Sequence, residues 1–533
     1  MGASSSTGQI SEQVKEAESI AASTGSLLLL QNAFSKLSDP TTNSSIPLNS
    51  LQECLCLNTT NPVSEASPIY ECFLKLLAHI GPSIVDLFFT ADKGGVCWVE
   101  FLRGYDKCCG RMPSSACLNN LFRLYSVTSI KAGFPSKLEF ESDAADSKIS
   151  GYLFPSDVLM LLWMCWIMFQ SSRVLRSSKG KATVFLPDIN HLILSAITSC
   201  TENSEGFNIT DCDISTLKDH ISVQKLHMWA LTTVPGLAYC FTQYVRDRLQ
   251  ICATAEDDLD STIEPVGDAS SAHECEAYLL TCGRAWGICL SQKNTFSEEL
   301  LRVCIPGNSI GTYENLLYRS SEHGKGLNRF WSSVEGYLGP LLLLISATSE
   351  NASGGRWVIG ILTQQGFENR DSFYGSSGYL YAISPSFHIY SPSGKDKNFV
   401  YSHSHPTGKA YEAHPKPLGI RFGGTIGNER IFMDEDFARV TIRHHAVDKT
   451  YKPGSLIPNQ GFLPVEASIL GVEVWGLGGK TTKEKQDTFK KRESLFSEQR
   501  RKVDLKNFAW EDSPEKVMMD MVSDPNRVQR EDR

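Results

Sequence analysis

Histidines gather around residue 400 in a pattern that could support chemistry. Imidazole and carboxylate groups can ligate zinc or transfer protons. The chain has no HExxH zinc motif, no GxSxG nucleophile motif and no GxxxxGK[ST] phosphate-binding loop. We therefore interpret these histidines as surface or hydrogen-bonded side chains, and an enzyme that uses loop 401–417 is the alternative. The group consists of His403, His405, Glu412, His414, His444 and His445.

Two segments of the first half resemble EF-hand calcium loops. The first is Leu87–Tyr105, with Glu100 at the last loop position, and the second is Asp146–Asp157, with Gly151 at position six. A calcium loop needs oxygen ligands at positions one, three and five. Lys93 and Lys148 occupy such positions. The sequence thus predicts an EF-hand-like scaffold without metal, and a calcium-responsive membrane module with Asp146 and Asp157 as ligands remains an alternative.

The first six residues fit the pattern for N-myristoylation. Gly2 follows Met1, and a hydroxyl side chain stands at Ser6. A single myristoyl chain holds a membrane weakly, with a binding constant on the order of 10⁴ M⁻¹. We therefore expect Gly2 to be acylated and a second contact to strengthen the membrane attachment.

Composition excludes several classes of protein. The chain has 533 residues, a net charge of −9 and 41% apolar residues, so general nucleic-acid binding is not expected. No signal peptide is visible at Met1, and we interpret the 16 cysteines as reduced thiols. The apolar run 158–169 is too short for a membrane span of about 20 residues, and it predicts a core helix.

Hydrophobic periodicity divides the chain into a helical half and a β-rich half. Apolar residues recur every three to four positions in Leu27–Leu37, Ile69–Leu87 and Leu118–Leu124, which predicts helices. Beyond Leu316, short apolar runs alternate with turn residues and predict strands buried between layers. These strands are predicted at Leu341–Ala347, Trp357–Thr363, Tyr379–Ser384, Phe387–Tyr390 and Val472–Trp475.

The sequence of the charged C-terminal tail predicts a helix with an apolar stripe. Phe489 and Phe496 are seven residues apart within Lys480–Lys506, so a helix places them on one side. Met518 and Met521 belong to a second short stripe further on. We predict that these four side chains contact a partner or a membrane surface, and a solvated helix packed on its own domain is the alternative.

Several motifs beyond Leu316 together resemble the TLDc domain family. The resemblance implies a β-sandwich with flanking helices, a role in protein interaction and stress protection, and no accepted catalytic mechanism or cofactor. Loop Tyr401–Pro417 is longer and richer in His and Pro than the family pattern, and the alternative that the resemblance implies is an oxidative-stress-protective enzyme that uses this loop. The matching motifs are Leu317-Tyr318-Arg319-Ser320-Ser321, Gly339-Pro340, Phe373-Tyr374-Gly375, Gly423-Gly424 and Glu473-Val474-Trp475-Gly476.

The predicted fold class is a multidomain α+β protein. The layout is similar to that of myristoylated, lysosome-associated TLDc proteins linked to mTOR signalling. This implies a non-catalytic adaptor in the cytoplasm, held peripherally on a lysosomal, vacuolar or other endomembrane, with the vacuolar proton-pumping ATPase or an mTOR-type assembly as partner. The predicted segments are a flexible start (1–17), a helical EF-hand-like region (18–253), an acidic linker (254–276), a TLDc domain with leading helices (277–479) and a helical tail (480–533).

Overall fold

The first half of the chain is helical, as predicted. This computed structural model describes residues 4–38, 45–57, 59–60, 68–91, 95–177, 182–183, 186–200, 217, 219–254, 278–292, 299–300, 315–349, 355–404, 416–508 and 518. The acidic linker lies outside the described residues beyond Thr254. The helices of this half are α1 (Ser4–Ser23), α2 (Leu27–Leu37), α3 (Leu48–Cys54), α4 (Pro68–Ala78), α5 (Ile80–Phe88), α6 (Trp98–Cys109), α7 (Ser114–Lys131), α8 (Pro155–Ser177), α9 (Asn190–Cys200), α10 (Val223–Thr233), α11 (Cys240–Thr254) and α12 (Cys282–Ser291).

Short strands join the helices of this half into pairs. Ile46 pairs with Val96 in one antiparallel ladder, and Leu153 pairs with Ile221 in another. Each of these strands runs directly into a helix, namely α3, α6, α8 or α10. The strands are β1 (Ser45–Pro47), β2 (Thr59–Thr60), β3 (Gly95–Cys97), β4 (Leu138–Phe140), β5 (Ile149–Leu153), β6 (Ala182–Thr183) and β7 (Ile221–Ser222).

The apolar run 158–169 lies in α8 and forms part of the helical core. Trp166 is fully buried, and its ring packs edge-on against Trp286 of α12 at 5.5 Å. The predicted core helix is therefore confirmed. None of the helices within the described ranges combines the length and apolar character that a bilayer span requires.

The second half contains one continuous antiparallel sheet of eleven strands within the described residues. The strands are β8 (Leu316–Arg319), β9 (Leu341–Thr348), β10 (Arg356–Thr363), β11 (Arg370–Tyr374), β12 (Gly378–Ser384), β13 (His388–Tyr390), β14 (Val400–His403), β15 (Gly419–Thr425), β16 (Asn428–Met433), β17 (Arg439–Ile442) and β18 (Val465–Gly476). The strand order is β11-β14-β15-β16-β17-β18-β9-β10-β12-β13, and β8 pairs with β18. The sheet curls on itself, so the two predicted layers are parts of a single hydrogen-bonded sheet.

The position of strand β9 between two cores explains why its sequence is apolar on both faces. Leu343 and Ile345 point into the core enclosed by the curled sheet, which also contains Ile431 of β16. Leu342 and Leu344 point the other way, into the core of the helical half. Because side chains alternate along a strand, one sheet closes two cores. The prediction of strands buried between layers is confirmed.

Helix α9 connects the helical half to the sheet through hydrogen bonds. The backbone N–H of Phe387 donates to the carbonyl oxygen of His191 at 3.0 Å. The Ser195 hydroxyl donates to the Phe387 carbonyl oxygen and accepts from Trp229 Nε1 at 2.9 Å. These bonds satisfy polar groups that the shared core removes from water.

Two short helices and one long helix accompany the sheet. These are α13 (Ser320–His323), α14 (Leu327–Val334) and α15 (Gly479–Phe508). Strand β18 ends at Gly476, and Gly479 begins α15 with φ +75°, a backbone conformation that favours glycine. The predicted helix Lys480–Lys506 is confirmed, and so is the α+β fold class.

Candidate interaction surface

The structure separates the histidines that the sequence grouped together. His403 is partly buried at the end of β14 and pairs with Gly419, at the start of β15. The ring of His445 faces the other end of β15, where its Cε1 lies 3.1 Å from the position of a Cβ on Gly424. Gly424 lies five positions along the strand from Gly419, or roughly 16 Å. His403 and His445 therefore do not share a site, while His405 and His414 lie outside the described residues.

Each of the two later histidines contacts a neighbour in its own loop. The ring of His444 stacks on Phe462 at 4.8 Å. His445 Nδ1 lies 3.9 Å from a carboxylate oxygen of Asp448, and burial lowers the pKa of His445 more than that carboxylate raises it. Among the described residues, no group of three or more His, Cys, Asp or Glu side chains is arranged to hold a metal ion.

The two candidate calcium ligands have different surroundings. Asp146 is exposed, whereas Asp157 is partly buried in the first turn of α8. The Asp157 carboxylate accepts from the backbone N–H of Phe154 at 3.0 Å and from the Tyr125 hydroxyl at 3.3 Å. Burial raises the pKa of Asp157. The bond from Phe154 makes Asp157 a capping group of its own helix, because its carboxylate reaches back to the N–H of the residue that precedes α8.

Side chains of α7 organise the loop before β5. The Arg123 guanidinium donates to the carbonyl oxygens of Ser142 and Ala144, the latter at 2.9 Å. Asn119 Nδ2 donates to the carbonyl oxygens of Ala145 and Ser147 at 2.9 and 3.0 Å. The side chains of Arg123 and Asn119 thus hold this loop in place by donating hydrogen bonds to its backbone carbonyl oxygens.

The first turns of α15 are fixed to the domain. Gln486 is fully buried, and its side-chain nitrogen donates to the carbonyl oxygens of Ser333 and Glu335 at 3.0 and 3.1 Å. Phe489, 41% exposed, packs its ring over Gly336, where a Cβ would lie 2.4 Å from Phe489 Cδ1. Phe489, predicted to contact a partner, therefore also attaches α15 to its own domain.

The following turns of α15 are open to solvent. Residues 491–501 are all exposed, and they include Leu495 at 60% and Phe496 at 57%. The Arg500 guanidinium lies over the Phe496 ring at 4.7 Å. Met518 is 73% exposed, and Met521 lies outside the described residues. The structure thus presents an apolar pair on a helix surrounded by Lys, Arg and Glu side chains.

A second exposed apolar surface was not predicted from the sequence. It lies at the end of the sheet marked by Gly424, His444 and His445, and the exposed fractions of its side chains run from 50% to 80%. These residues belong to turns, where the strand pattern carries no information about exposure. Adjacent large apolar residues in the segment Asn459–Pro464 are the signal that could have indicated it. This surface comprises Ile426, Val447, Phe462 and Leu463.

Buried ion pairs stabilise the curled sheet behind this surface. Arg430 and Asp448 are both fully buried and lie 2.9 Å apart, and Arg430 also donates to the carbonyl oxygens of Lys452 and Gly454. Arg421 and Glu429 form a second pair at 2.6 Å. These charged side chains bond to each other inside the fold, which is a structural role.

Comparison with known proteins identifies the β-rich part. Residues 291–478 match the TLDc domain family, so the chain contains a TLDc domain. The match includes the strands from β8 to β18, and α15 begins directly after it. A TLDc domain indicates a protein-interaction or stress-related role. No curated protein matches the chain.

Proposed function

We propose that this protein is a non-catalytic adaptor that binds a large assembly through its TLDc domain and the exposed turns of α15. The observation that carries the proposal is the TLDc domain itself, followed directly by a helix that is fixed at one end and exposed beyond. A helix held in this way presents Leu495 and Phe496 with little loss of conformational freedom on binding.

The partner proposed from the resemblance is the vacuolar proton-pumping ATPase or an mTOR-type signalling assembly. The chemistry of α15 favours a protein surface with an apolar groove and acidic margins. Exposed Lys491, Arg492, Arg500 and Arg501 flank the apolar pair on the helix. Such charges increase the association rate with an acidic partner, and the apolar side chains provide the buried contact.

Myristoylation of Gly2 is proposed as the membrane contact. Gly2 lies outside the described residues, and α1 begins shortly after it at Ser4. An acyl chain at this position would be close to the start of a helix whose other end packs on the helical half through Ala17 and Ala21. Weak membrane binding by one acyl chain would add to the affinity of the TLDc domain for a membrane-bound partner.

We further propose that the helical half is an EF-hand-like scaffold that acts without calcium. The paired strands β1–β3 and β5–β7, each leading into a helix, support this interpretation. Gly151 at position six of the proposed loop has φ +103°, a conformation that the sharp turn of an EF-hand loop requires. The bonds from Arg123 and Asn119 support a structural role for this region.

Affinity purification of the full chain tests the adaptor proposal. We expect proton-pump or mTOR-type subunits to co-purify with the wild-type protein, and equally with a variant in which His403, His405 and His414 are replaced by Ala. Loss of function in the histidine variant with unchanged partners would favour the enzyme instead.

Fractionation of Gly2→Ala, with mass spectrometry of the native N-terminus, tests the membrane contact, since an unmodified N-terminus would refute it.

A further inference from the structure

One face of helix α11 lies along the end of α3. The Tyr244 hydroxyl donates to the carbonyl oxygen of Leu55 at 2.8 Å. One helical turn later, Arg248 Nε donates to the carbonyl oxygen of Cys54 at 2.7 Å. Residues four apart share a helix face, so Cys252 continues this face by one more turn.

The side chains of Cys252 and Cys54 meet at this contact. The Arg248 bond to the Cys54 backbone brings the thiol one turn further along α11 beside the Cys54 thiol, and both cysteines are free and partly exposed. Neighbouring thiols on two elements held together by two further bonds are placed for disulfide chemistry. Partial exposure gives a small oxidant access to them.

The surroundings of Cys252 and Cys54 shift the pKa values of their thiols in opposite directions. The hydrogen bond from Cys54 lowers the pKa of Cys252 to about 7, and the positive charges of Lys36 and Arg248 act in the same direction against the effect of burial. The same hydrogen bond and burial raise the pKa of Cys54. At neutral pH, Cys252 is therefore the sulfur that ionises, with about half of it present as thiolate, and Cys54 stays protonated as its hydrogen-bond donor.

We propose that Cys252 and Cys54 form a peroxide-reactive dithiol that closes to a disulfide between α11 and α3. The Cys252 thiolate attacks one oxygen of hydrogen peroxide and breaks the O–O bond, giving a sulfenic acid and hydroxide. The hydroxide takes up the proton that Cys252 released on ionisation and becomes water. The Cys54 sulfur then attacks the Cys252 sulfur, and the sulfenic oxygen leaves with the Cys54 proton as a second water.

The electrons balance, because the two thiols lose two electrons and one peroxide gains two. This chemistry lies in the helical half and does not depend on the proposed docking through α15. The structure also provides a matched control thiol in Cys56, two residues from Cys54. Burial raises the pKa of Cys56, so it is mainly protonated at neutral pH.

The test is differential alkylation of the reduced, full-length protein followed by mass spectrometry, with and without a small excess of hydrogen peroxide. We expect a peptide pair joined through Cys54 and Cys252, reversed by dithiothreitol, while Cys56 stays alkylatable. Both thiols remaining alkylatable after peroxide, or Cys54 or Cys252 pairing with another cysteine instead, would overturn the proposal.

Single substitutions assign the order of the two steps. In Cys54→Ser, peroxide should leave a Cys252 sulfenic acid that dimedone traps, whereas in Cys252→Ser the Cys54 thiol should remain unoxidised. Cys56→Ser should form the disulfide as the wild type does. Trapping on Cys54 rather than Cys252 would contradict the assignment.

A rate measurement on the wild-type protein does not depend on any variant. At pH 7, iodoacetamide should modify Cys252 roughly fivefold faster than Cys56, because the larger thiolate fraction outweighs the lower intrinsic nucleophilicity of a low-pKa thiol. The Cys252 rate should rise through a midpoint near 7. Equal rates for the two thiols would contradict the proposal.

Discussion

Gln486 of the C-terminal helix donates its side-chain N–H to the carbonyl oxygen of Ser333 at 3.0 Å, at the last turn of α14. Lys490 Nζ donates to the same oxygen at 2.8 Å. The last carbonyls of a helix have no partner within it, and a positive charge there is favourable. Helix α15 therefore completes the TLDc domain at one end before it extends into solvent.

Gln486→Ala should loosen this attachment. The substitution removes both amide bonds and leaves the Ser333 and Glu335 carbonyl oxygens with fewer donors, at a cost of about 1–3 kcal/mol. Hydrogen exchange should increase in residues 479–490, and chemical denaturation should show the lower stability. The exposed Gln499→Ala is the control, and equal exchange in both variants would contradict this account of the attachment.

Arg430→Met should destabilise the curled sheet strongly. It leaves the fully buried Asp448 carboxylate without its charged partner, which costs roughly 3–5 kcal/mol. Thermal unfolding should show a lower Tm than for Arg439→Met, a substitution at an exposed position of β17. An equal Tm for these two variants would show that the buried pair does not stabilise the sheet.

Acid should weaken the junction between α9 and the sheet through His191. Burial lowers the pKa of His191 to about 3, so its neutral form is favoured in the folded state. In the unfolded chain, the pKa of this histidine is about 6.5. The contribution of His191 to the free energy of unfolding is therefore fully present above pH 6.5 and is lost as the pH falls from 6.5 towards 3.

His191→Gln should remove that part of the pH dependence, by a few kcal/mol over this range. Chemical denaturation at several pH values measures it, with the exposed His220→Gln as the control. The same slope of stability against pH in wild type and His191→Gln would contradict the assignment.

Calcium should not bind at Asp146 and Asp157. Calorimetry of the wild-type protein with calcium should give no heat, because Lys148 stands at a ligand position and Asp157 caps its own helix. Heat that disappears in Asp146→Ala would identify a working site.

Arg123→Ala should lower the free energy of unfolding of the helical half, because it removes donors from the carbonyl oxygens of loop 142–147.

The elements were predictable where the local pattern carries the information. Helix Leu27–Leu37 has the predicted bounds, and the strand predicted at Trp357–Thr363 differs from β10 by one residue. The segment Ile69–Leu87 is divided at His79 into α4 and α5, since Leu76 and Ile80 still fit one apolar stripe and give no signal of a break.

Tertiary relationships could not be predicted from local patterns. The thiol pair of Cys54 and Cys252 depends on how α3 packs against α11 across most of the helical half. The closing of one sheet around its own core depends on pairings such as β8 with β18, which join distant parts of the chain. Spacing around residue 400 grouped histidines that the sheet register places at opposite ends of β15.

The most direct test of the adaptor account compares two charge insertions on α15. Phe496→Asp places a carboxylate on the exposed apolar pair, whereas Ser494→Asp places the same charge on the opposite face of the helix. In quantitative affinity purification from cells, the account predicts that Phe496→Asp loses at least tenfold of the co-purifying assembly and that Ser494→Asp retains it. Equal recovery with both variants would contradict docking through this helix.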